Sequence, residues 1–309
     1  NLIGYPLLIK ATGGGGGRGM RVVASESELH SAISQAQAEA QSAFSNPVVY
    51  LERYFDNVHH VEVQVFGDTH GNVIHLGERD CSTQRRHQKL VEESPSSAIS
   101  KSVRAKLCED AQRLALQMGY ASAGTVEFIY DRNTQQHYFI EMNTRIQVEH
   151  PVTEAVTGTD LVREQLRVAA GEPLSLSQDQ VDYNGHAIEW RINAEDPTRQ
   201  FAPSPGRVSR FVPSYGPGIR VDSFIRQGQQ LSPYYDSLMA KLIVHGKDRA
   251  DALARSARAL SEFKVEGVST TIPFHRWLLE QPAFRAGRVH TRWVEEQRLG
   301  EQELFGGAA

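Results

Sequence analysis

The sequence has few cysteines, no long apolar run and no large excess of charge of either sign. Its two cysteines, Cys81 and Cys108, are too few for a disulfide framework and lack the C-x-x-C spacing of a metal site. We interpret them as reduced, inert thiols, which are typical of a cytoplasmic protein. No stretch approaches the roughly 20 apolar residues that cross a bilayer, and no basic segment leads into an apolar signal region. We therefore expect a cytoplasmic protein with no membrane partner.

The charge of the chain is balanced, with 33 basic and 37 acidic residues and a formal net charge of -4. A chain of this charge has no global field that attracts nucleic acid, so we expect no nucleic-acid partner and only local anion sites. The 309 residues are 40% hydrophobic and 23% charged, which is ordinary for a globular protein with more than one domain.

The order of the predicted elements indicates the fold class. Residues 61–67 with 72–76, and residues 124–130 with 137–142, are predicted to form β-hairpins. Hairpins outnumber strand–helix–strand units, which predicts an α+β protein with antiparallel sheets. The chain starts without methionine and enters a predicted strand at Leu7, so we expect a fragment of a longer protein.

Two sequence signals mark local boundaries. Ser25 and Glu28 match the S-x-x-E capping box, which predicts that a helix begins there. The polar segment 175–184 is predicted to be a linker, because the sequence after it is rich in proline, glycine and serine.

Five consecutive glycines, residues 13–17, are the most unusual feature of the first fifty residues. Such a run has a high conformational entropy and offers no side chain for packing, so it suits a loop that moves or approaches a ligand closely. Successive backbone N–H groups can bind phosphate oxygens, although the run lacks the Lys-Ser or Lys-Thr of a P-loop. A flexible linker is the alternative. Lys10 would add a charge to the same phosphates, or it is a solvated lysine at the end of a strand.

The second predicted hairpin carries a candidate metal site. A turn centred near Thr134 places Glu127 opposite Glu141, with Asn143 on the same face. Two facing carboxylates repel each other, and Mg²⁺ or Mn²⁺ bound with nucleotide phosphates would relieve that repulsion. The alternative is a solvated acidic face on an edge strand.

Two further segments are dense in polar groups. Residues 141–151 combine carboxylates, an arginine, amides and a histidine, and Pro151 ends any strand pairing. Residues 79–89 are predicted to be a polar, basic loop, which lacks the interleaved aromatics of a nucleic-acid site and therefore favours a pocket for a small anion.

Four segments together resemble biotin carboxylase, a family of the ATP-grasp superfamily. They are residues 10–20 (KATGGGGGRGM), 78–89 (ERDCSTQRRHQK), 141–153 (EMNTRIQVEHPVT) and 191–197 (RINAEDP). The resemblance implies an ATP-grasp fold with a partial lid over residues 1–53, an antiparallel core over 54–180 and a biotin carboxylase C-terminal domain over 181–309. It also implies that the family's N-terminal α/β domain is missing here.

The resemblance implies ATP- and bicarbonate-dependent carboxylation of biotin through carboxyphosphate. The implied general base is Glu149, and Arg191 is implied to stabilise the biotin enolate. The implied bicarbonate pocket consists of Lys89, Arg145, Gln147 and Val148, with Lys89 and Arg145 also counted as catalytic. The implied metal ligands are Glu127, Glu141 and Asn143. The implied ATP-binding residues are Lys10, Gly14, Gly15, Gly16, Gly17, Glu52, Arg53, Phe55, His60, Gln84 and His87.

The implied cofactors are ATP, Mg²⁺ or Mn²⁺, and biotin as a carrier-bound substrate. The implied partners are a biotin carboxyl carrier protein or domain and a carboxyltransferase component, and family members often form homodimers. In a eukaryote the location would include an organellar matrix. Two alternatives stay open: another ATP-grasp ligase, such as a carbamoyl phosphate synthetase, and a nucleotide-binding module without turnover.

Overall fold

The computed structural model describes residues 3–14, 19–297, 299–300 and 304. The chain divides into two compact units, one of Asn1–Asn57 with Arg85–Gln88 and the other of Val58–Gln84 with Lys89–Ala309. The predicted domain boundaries at residues 53 and 180 stay a prediction.

The first unit is a small sheet covered by one helix. Its elements are β1 (Leu7–Ala11), β2 (Met20–Val23), α1 (Glu26–Phe44) and β3 (Val49–Arg53). The three strands pair antiparallel in the order β2-β1-β3, and α1 buries its alanines Ala32, Ala36 and Ala40. The predicted start of α1 is confirmed, but the capping box is wrong in one respect. The Ser25 hydroxyl bonds the Ser27 hydroxyl and does not cap the helix, whereas Glu28 accepts from the Ala24 N–H at 3.4 Å.

The second unit contains an eight-stranded antiparallel sheet in the order β13-β14-β9-β6-β5-β4-β7-β8. Its strands are β4 (His59–Gly67), β5 (Val73–Arg85), β6 (Gln88–Ser94), β7 (Ser122–Asp131), β8 (Gln136–Asn143), β9 (His186–Asn193), β13 (Ile219–Ser223) and β14 (Leu238–Gly246). The short strands are β10 (Glu195–Asp196), β11 (Ala202–Pro203), β12 (Arg210–Val212) and β15 (Lys264–Glu266). The predicted α+β class with antiparallel sheets is confirmed.

The helices of this unit cover the sheet. They are α2 (Lys101–Gln117), α3 (His150–Thr157), α4 (Leu161–Ala169), α5 (Arg249–Glu262), α6 (Ile272–Glu280), α7 (Pro282–Arg285) and α8 (Trp293–Glu296). Helix α2 packs Leu107 and Ala111 against the valines of β4, and α5 packs Leu260 into a separate core around Trp190. No helix within the described ranges combines the length and the apolar composition that a membrane crossing requires.

One sequence prediction about a loop is wrong. Residues 79–89 are not a loop: most of them belong to β5 and β6, which are joined by a tight turn at Arg86 and His87, both with positive φ. The polar residues misled the prediction because they line a buried polar face of a central strand. The segment 175–184 stays a predicted linker; within it, the Gln178 side chain bonds the backbone of His75 at 2.8 and 3.1 Å.

Candidate active site

The central strands of the sheet have one apolar and one polar face. Val61, Val63 and Val65 of β4 pack towards α2, so the alternation of the strand places Glu62 and Gln64 on the opposite face. The register adds partners to that face, because Glu62 is opposite Arg79 on β5 and opposite Glu127 on β7. Charged side chains therefore cluster on the polar face of the sheet. We call Glu62, Arg79, Lys89, Glu149 and Arg191 the interior ion cluster.

Arg79 organises the interior ion cluster and is completely buried. Its Nε donates to Glu62 Oε1 at 2.6 Å. Its two terminal nitrogens donate to four side-chain oxygens at 2.7 to 3.1 Å, those of Gln64, Thr153, Thr125 and Gln147. All five N–H groups of the guanidinium thus have acceptors, which is what a buried cation requires. The sequence analysis did not identify Arg79 or Glu62 as members of the site.

Lys89 lies among three carboxylates. Its Nζ is 2.6 Å from Glu62 Oε2, 2.5 Å from Glu149 Oε1 and 3.4 Å from Glu127 Oε1. Burial on its own would lower the pKa of Lys89, but the surrounding negative groups raise it well above its ordinary value. Lys89 is therefore a fixed positive charge at neutral pH.

Glu149 is almost completely buried, directly before α3, and it lies between two cations. Its Oε1 contacts Lys89, and its Oε2 accepts from Arg191 Nη2 at 2.9 Å. Burial would raise the pKa of Glu149, but Lys89 and Arg191 together lower it well below its usual range. Arg191 in turn donates from Nε to Glu92 Oε1 at 2.6 Å. The structure thus brings the predicted residues Lys89, Glu149 and Arg191 together.

The β7–β8 hairpin places Glu127 directly opposite Glu141, as the sequence predicts. The register reaches this pairing by a β-bulge: Phe128 pairs with Phe139, so Ile140 is the extra residue. The Asn143 amide donates to Glu127 at 2.9 Å and to Glu141 at 3.4 Å, which places all three predicted metal ligands at one point.

Glu127 has further neighbours that the sequence analysis did not connect with a metal. His60 Nε2 lies 3.0 Å from Glu127 Oε2, and His60, Glu62 and Glu127 form a group whose ligand atoms lie within 4.8 Å of one another. Burial would raise the pKa of Glu127, but His60, Lys89 and Gln147 lower it to about 2. The carboxylate is therefore ionised and available to a cation at neutral pH.

The remaining predicted bicarbonate residues flank the interior ion cluster. Gln147 is buried and donates to Glu127 Oε1 at 2.8 Å, and the Val148 carbonyl accepts from Lys241 Nζ at 2.8 Å. Arg145 is exposed and donates to Asn143 Oδ1 at 3.3 Å. Its guanidinium lies on the hairpin side of the site.

The predicted nucleotide residues fall in both units. In the second unit, Gln84 Nε2 is 3.4 Å from His60 Nδ1. In the first unit, Lys10 and Glu52 form an ion pair of 3.2 Å, and Lys10 lies over the Tyr50 ring. Of the other predicted nucleotide residues of this unit, Arg53 is exposed, Phe55 is half-buried and His87 lies in the exposed β5–β6 turn. The Gly14 N–H donates to the Ala11 carbonyl, while Gly15, Gly16 and Gly17 lie outside the described residues.

Comparisons with known proteins decide the family. Residues 1–177 match the family model described as "Carbamoyl-phosphate synthase L chain, ATP binding domain", and residues 189–296 match "Biotin carboxylase C-terminal domain". The chain belongs to the biotin carboxylase family. The predicted family and its ATP-grasp fold are confirmed, and the second match separates the chain from the carbamoyl phosphate synthetases that share the first.

The sequences of named relatives support the same family assignment. The chain is 56% identical over 295 residues to biotin carboxylase 1 of Bacillus subtilis, a match that covers 96% of the chain and 66% of that protein. It is 55% identical over 294 residues to biotin carboxylase of the Nostoc strain PCC 7120, over 95% of the chain and 66% of that protein. The chain thus spans just under two thirds of the length of these relatives.

Solved structures of the family superpose closely. The biotin carboxylase domain dimer of Hydrogenobacter thermophilus 2-oxoglutarate carboxylase, in complex with MgADP, ADP and bicarbonate, has a TM-score of 0.92 at 48% identity, over 98% of this chain and 66% of that one. Pyruvate carboxylase from Rhizobium etli has a TM-score of 0.92 at 41% identity, over 98% of this chain and 27% of that one. In that second protein the matching region is therefore one part of a much longer chain.

Proposed function

We propose that the chain carries out ATP- and bicarbonate-dependent carboxylation of biotin held on a carrier protein. A bicarbonate oxygen attacks the γ-phosphorus of ATP, ADP leaves, and carboxyphosphate forms. Carboxyphosphate then splits into CO₂ and phosphate, phosphate takes the N1′ proton of biotin, and the biotin enolate attacks CO₂. The observation that carries the proposal is the position of Glu149, a buried carboxylate between Lys89 and Arg191.

Lys89, Arg145, Gln147 and the Val148 backbone are the proposed bicarbonate pocket. A fixed ammonium and a forked guanidinium suit a planar oxyanion, and the high pKa of Lys89 keeps its charge at the pH where bicarbonate is abundant. Gln147 is held on both sides, by Arg79 and by Glu127, so its orientation is set before substrate arrives. This preorganisation lowers the cost of aligning bicarbonate for attack.

Glu149 is the proposed general base for the bicarbonate proton. Its lowered pKa makes it a weak base while Lys89 and Arg191 both contact it. A bicarbonate anion that takes over donors of Lys89 would raise the pKa of Glu149 in the complex, since a cationic partner of the carboxylate is then shared. Base strength and substrate binding are coupled in this arrangement.

Arg191 is the proposed partner of the biotin enolate. Its guanidinium bridges Glu149 and Glu92, which holds it in a single orientation. A fixed cation at the place where negative charge develops stabilises the transition state without reorganisation.

A divalent cation that accompanies ATP is proposed to bind at the β7–β8 hairpin. The donor set fits Mg²⁺ or Mn²⁺, because Glu127 and Glu141 supply hard oxygen ligands and Glu127 is ionised. The Asn143 amide, whose nitrogen now donates to both carboxylates, would turn its oxygen towards the cation. When bound, the cation would neutralise charge on the transferring phosphates. The proposed nucleotide contacts are Lys10, Gly14, Gly15, Gly16, Gly17, Glu52, Arg53, Phe55, His60, Gln84 and His87.

The proposed partners are a biotin carboxyl carrier protein or domain, a carboxyltransferase component and a second copy of this chain. The likeness to one part of a pyruvate carboxylase chain, and to the biotin carboxylase domain dimer of 2-oxoglutarate carboxylase, supports this proposal. The free, buried thiols of Cys81 and Cys108 support the cytoplasmic location.

The test combines binding and turnover. Calorimetric titration with ATP, with and without Mg²⁺, measures the nucleotide site, and ADP release on addition of biotin and bicarbonate measures the reaction. Glu149→Gln removes the base while keeping the shape of the side chain, so it should bind MgATP normally and lower kcat about 10³-fold. Glu280→Gln, the same change at an exposed position of α6, is the matched control and should leave both unchanged.

Three results would contradict the proposal. Turnover retained in Glu149→Gln would remove the base assignment. ADP release that requires an acceptor other than biotin would indicate another ATP-grasp ligase. Metal-dependent ATP binding with no turnover under any acceptor would indicate a nucleotide-binding module.

A further inference from the structure

Two buried glutamates lie directly behind Arg191, and no step proposed above uses them as an acid or a base. Glu92 on β6 and Glu189 on β9 are directly opposed in the antiparallel ladder, and both are 0% exposed. Opposed side chains have Cβ atoms about 5 Å apart on the same face of the sheet. Glu189 and Arg191 are two residues apart on β9, so all three side chains share that face.

If both groups of this pair are carboxylates, their buried oxygens have too few hydrogen-bond donors. Glu92 Oε1 receives Arg191, whose Nη2 also lies 2.5 Å away. Glu92 Oε2 and both carboxyl oxygens of Glu189 are buried and have no hydrogen-bond partner among the described residues. Three orphaned oxygens and two adjacent negative charges would be very costly inside a protein. One proton between the two groups supplies a donor and removes one charge.

We propose that Glu92 and Glu189 share one proton, carried by Glu189, which donates to Glu92 Oε2 and makes Glu189 a positioning residue for Arg191. Glu92 is the anion of the pair because its Oε1 is bound to the Arg191 cation. The proton itself does not depend on the proposed function; only the role given to Arg191 does.

The electrostatic environment supports this assignment. Burial raises the pKa of Glu189 well above its ordinary value, and Glu92 raises it further. Burial also raises the pKa of Glu92 to about 7, although Arg191 opposes this. The other charged groups facing the pair are Glu149, Lys89 and Lys241. Lys241 Nζ bonds the Val148 carbonyl at 2.8 Å, and neither carboxyl oxygen of Glu189 receives a hydrogen bond from it.

The shared proton has a mechanical consequence for Arg191. A protonated Glu189 fixes Glu92 from one side, and the Glu92 anion fixes Arg191 Nε from the other. If Glu189 were ionised, it would repel Glu92 and compete for the guanidinium, which would weaken the contact between Arg191 and Glu149. The orientation of Arg191 therefore depends on a neutral hydrogen-bond donor at position 189.

Infrared spectroscopy of the full chain at neutral pH tests the proton. A protonated carboxyl group has a carbonyl-stretch band distinct from that of a carboxylate, and Glu189→Gln should remove such a band from the wild-type spectrum. Glu164→Gln is the matched control: Glu164 is also buried, but both its oxygens accept from Ser175, so the band should remain. A spectrum unchanged in Glu189→Gln would overturn the proposal.

A second measurement tests the positioning role without turnover. The NMR resonance of the Arg191 Nε–H group, assigned by its loss in Arg191→Lys, should shift in Glu189→Leu and stay near its wild-type position in Glu189→Gln, whose amide donates as the acid does. If the chain turns over, kcat should fall about tenfold in Glu189→Leu with the KM for ATP unchanged, and Glu189→Gln should restore most of it. Equal shifts in both variants would overturn the positioning role, and absence of turnover in the wild type would count against the proposed function alone.

Discussion

The interior ion cluster and the β7–β8 hairpin both present carboxylates, but in opposite environments. Inside the sheet, Glu62 and Glu149 are buried and each is contacted by two cations. On the hairpin, Glu141 is exposed and receives a long hydrogen bond of 3.4 Å from Asn143. The interior charges are thus neutralised when the chain folds, whereas the exposed Glu141 carboxylate of the hairpin is available to a ligand. The proposed catalytic groups are positioned by the fold, and the proposed metal would supply positive charge at the hairpin.

The largest expected effect comes from removing the central cation of the interior ion cluster. Arg79→Leu should lower the free energy of unfolding by about 3–5 kcal/mol, because it leaves the buried Glu62 carboxylate and several side-chain oxygens without donors. Urea unfolding followed by circular dichroism measures the change. Arg79→Lys keeps the charge with fewer donors, so its stability should lie between those of the wild type and Arg79→Leu.

Arg113→Leu is the control for this experiment. Arg113 is exposed on α2 and pairs with Asp110 three residues earlier, an arrangement that contributes about 0.5 kcal/mol or less. If Arg79→Leu lowered the free energy of unfolding no more than Arg113→Leu does, the interior ion cluster would not stabilise the fold more than an exposed ion pair.

The second effect concerns pH. His275 is completely buried, its Nε2 bonds the Arg191 carbonyl at 2.8 Å, and burial lowers its pKa to about 4 from 6.5. The unfolded chain therefore binds a proton before the folded chain does, so the stability due to neutral His275 is present above pH 6.5 and is lost as the pH falls towards 4. Between pH 7 and pH 5 the loss should be about 2 kcal/mol.

Unfolding at pH 7 and pH 5, in the wild type and in His275→Gln, isolates this contribution. Glutamine keeps a donor for the Arg191 carbonyl but does not titrate, so the variant should lose about 2 kcal/mol less than the wild type over this range. Identical pH dependence in both proteins would show that His275 is not held neutral by the fold.

The smallest expected effect on stability concerns Glu141, the exposed carboxylate of the β7–β8 hairpin. Glu141→Gln should leave the stability within about 0.5 kcal/mol of the wild type, because the side chain is exposed, but it should weaken Mg²⁺-dependent nucleotide binding about tenfold. Calorimetric titration with and without Mg²⁺ measures the change in nucleotide affinity, and urea unfolding measures the change in stability. Unchanged Mg²⁺-dependent affinity would remove Glu141 from the proposed metal site.

The sequence predicted pairings between neighbouring strands better than it predicted the contacts of the interior ion cluster. The facing of Glu127 and Glu141 follows from strand alternation and a short turn, both of which are local. The interior ion cluster combines residues from β4, β5, β6 and β9 with the segment before α3, and no spacing rule connects strands so far apart in sequence. Glu62 was visible only as a polar residue alternating with valines, which is also the pattern of a strand with a solvated face.

The error at residues 79–89 has the same origin. Polar and basic residues usually indicate a loop, but here Arg79 has its acceptors inside the protein and the strand continues to Arg85. Resemblance to a family supplied what periodicity could not, since it identified Lys89, Glu149 and Arg191 as one group before the structure placed them in contact.

The bulge at Ile140 has a consequence for how this hairpin can change in length. Glu127 pairs with Glu141 and Phe128 pairs with Phe139, so the residue between them on β8 is not needed for either pairing. A deletion there would straighten the strand and leave both registers as they are, whereas a deletion inside β7 would move one carboxylate to the other face. Ile140 is therefore a position at which evolution can remove a residue without separating the two glutamates.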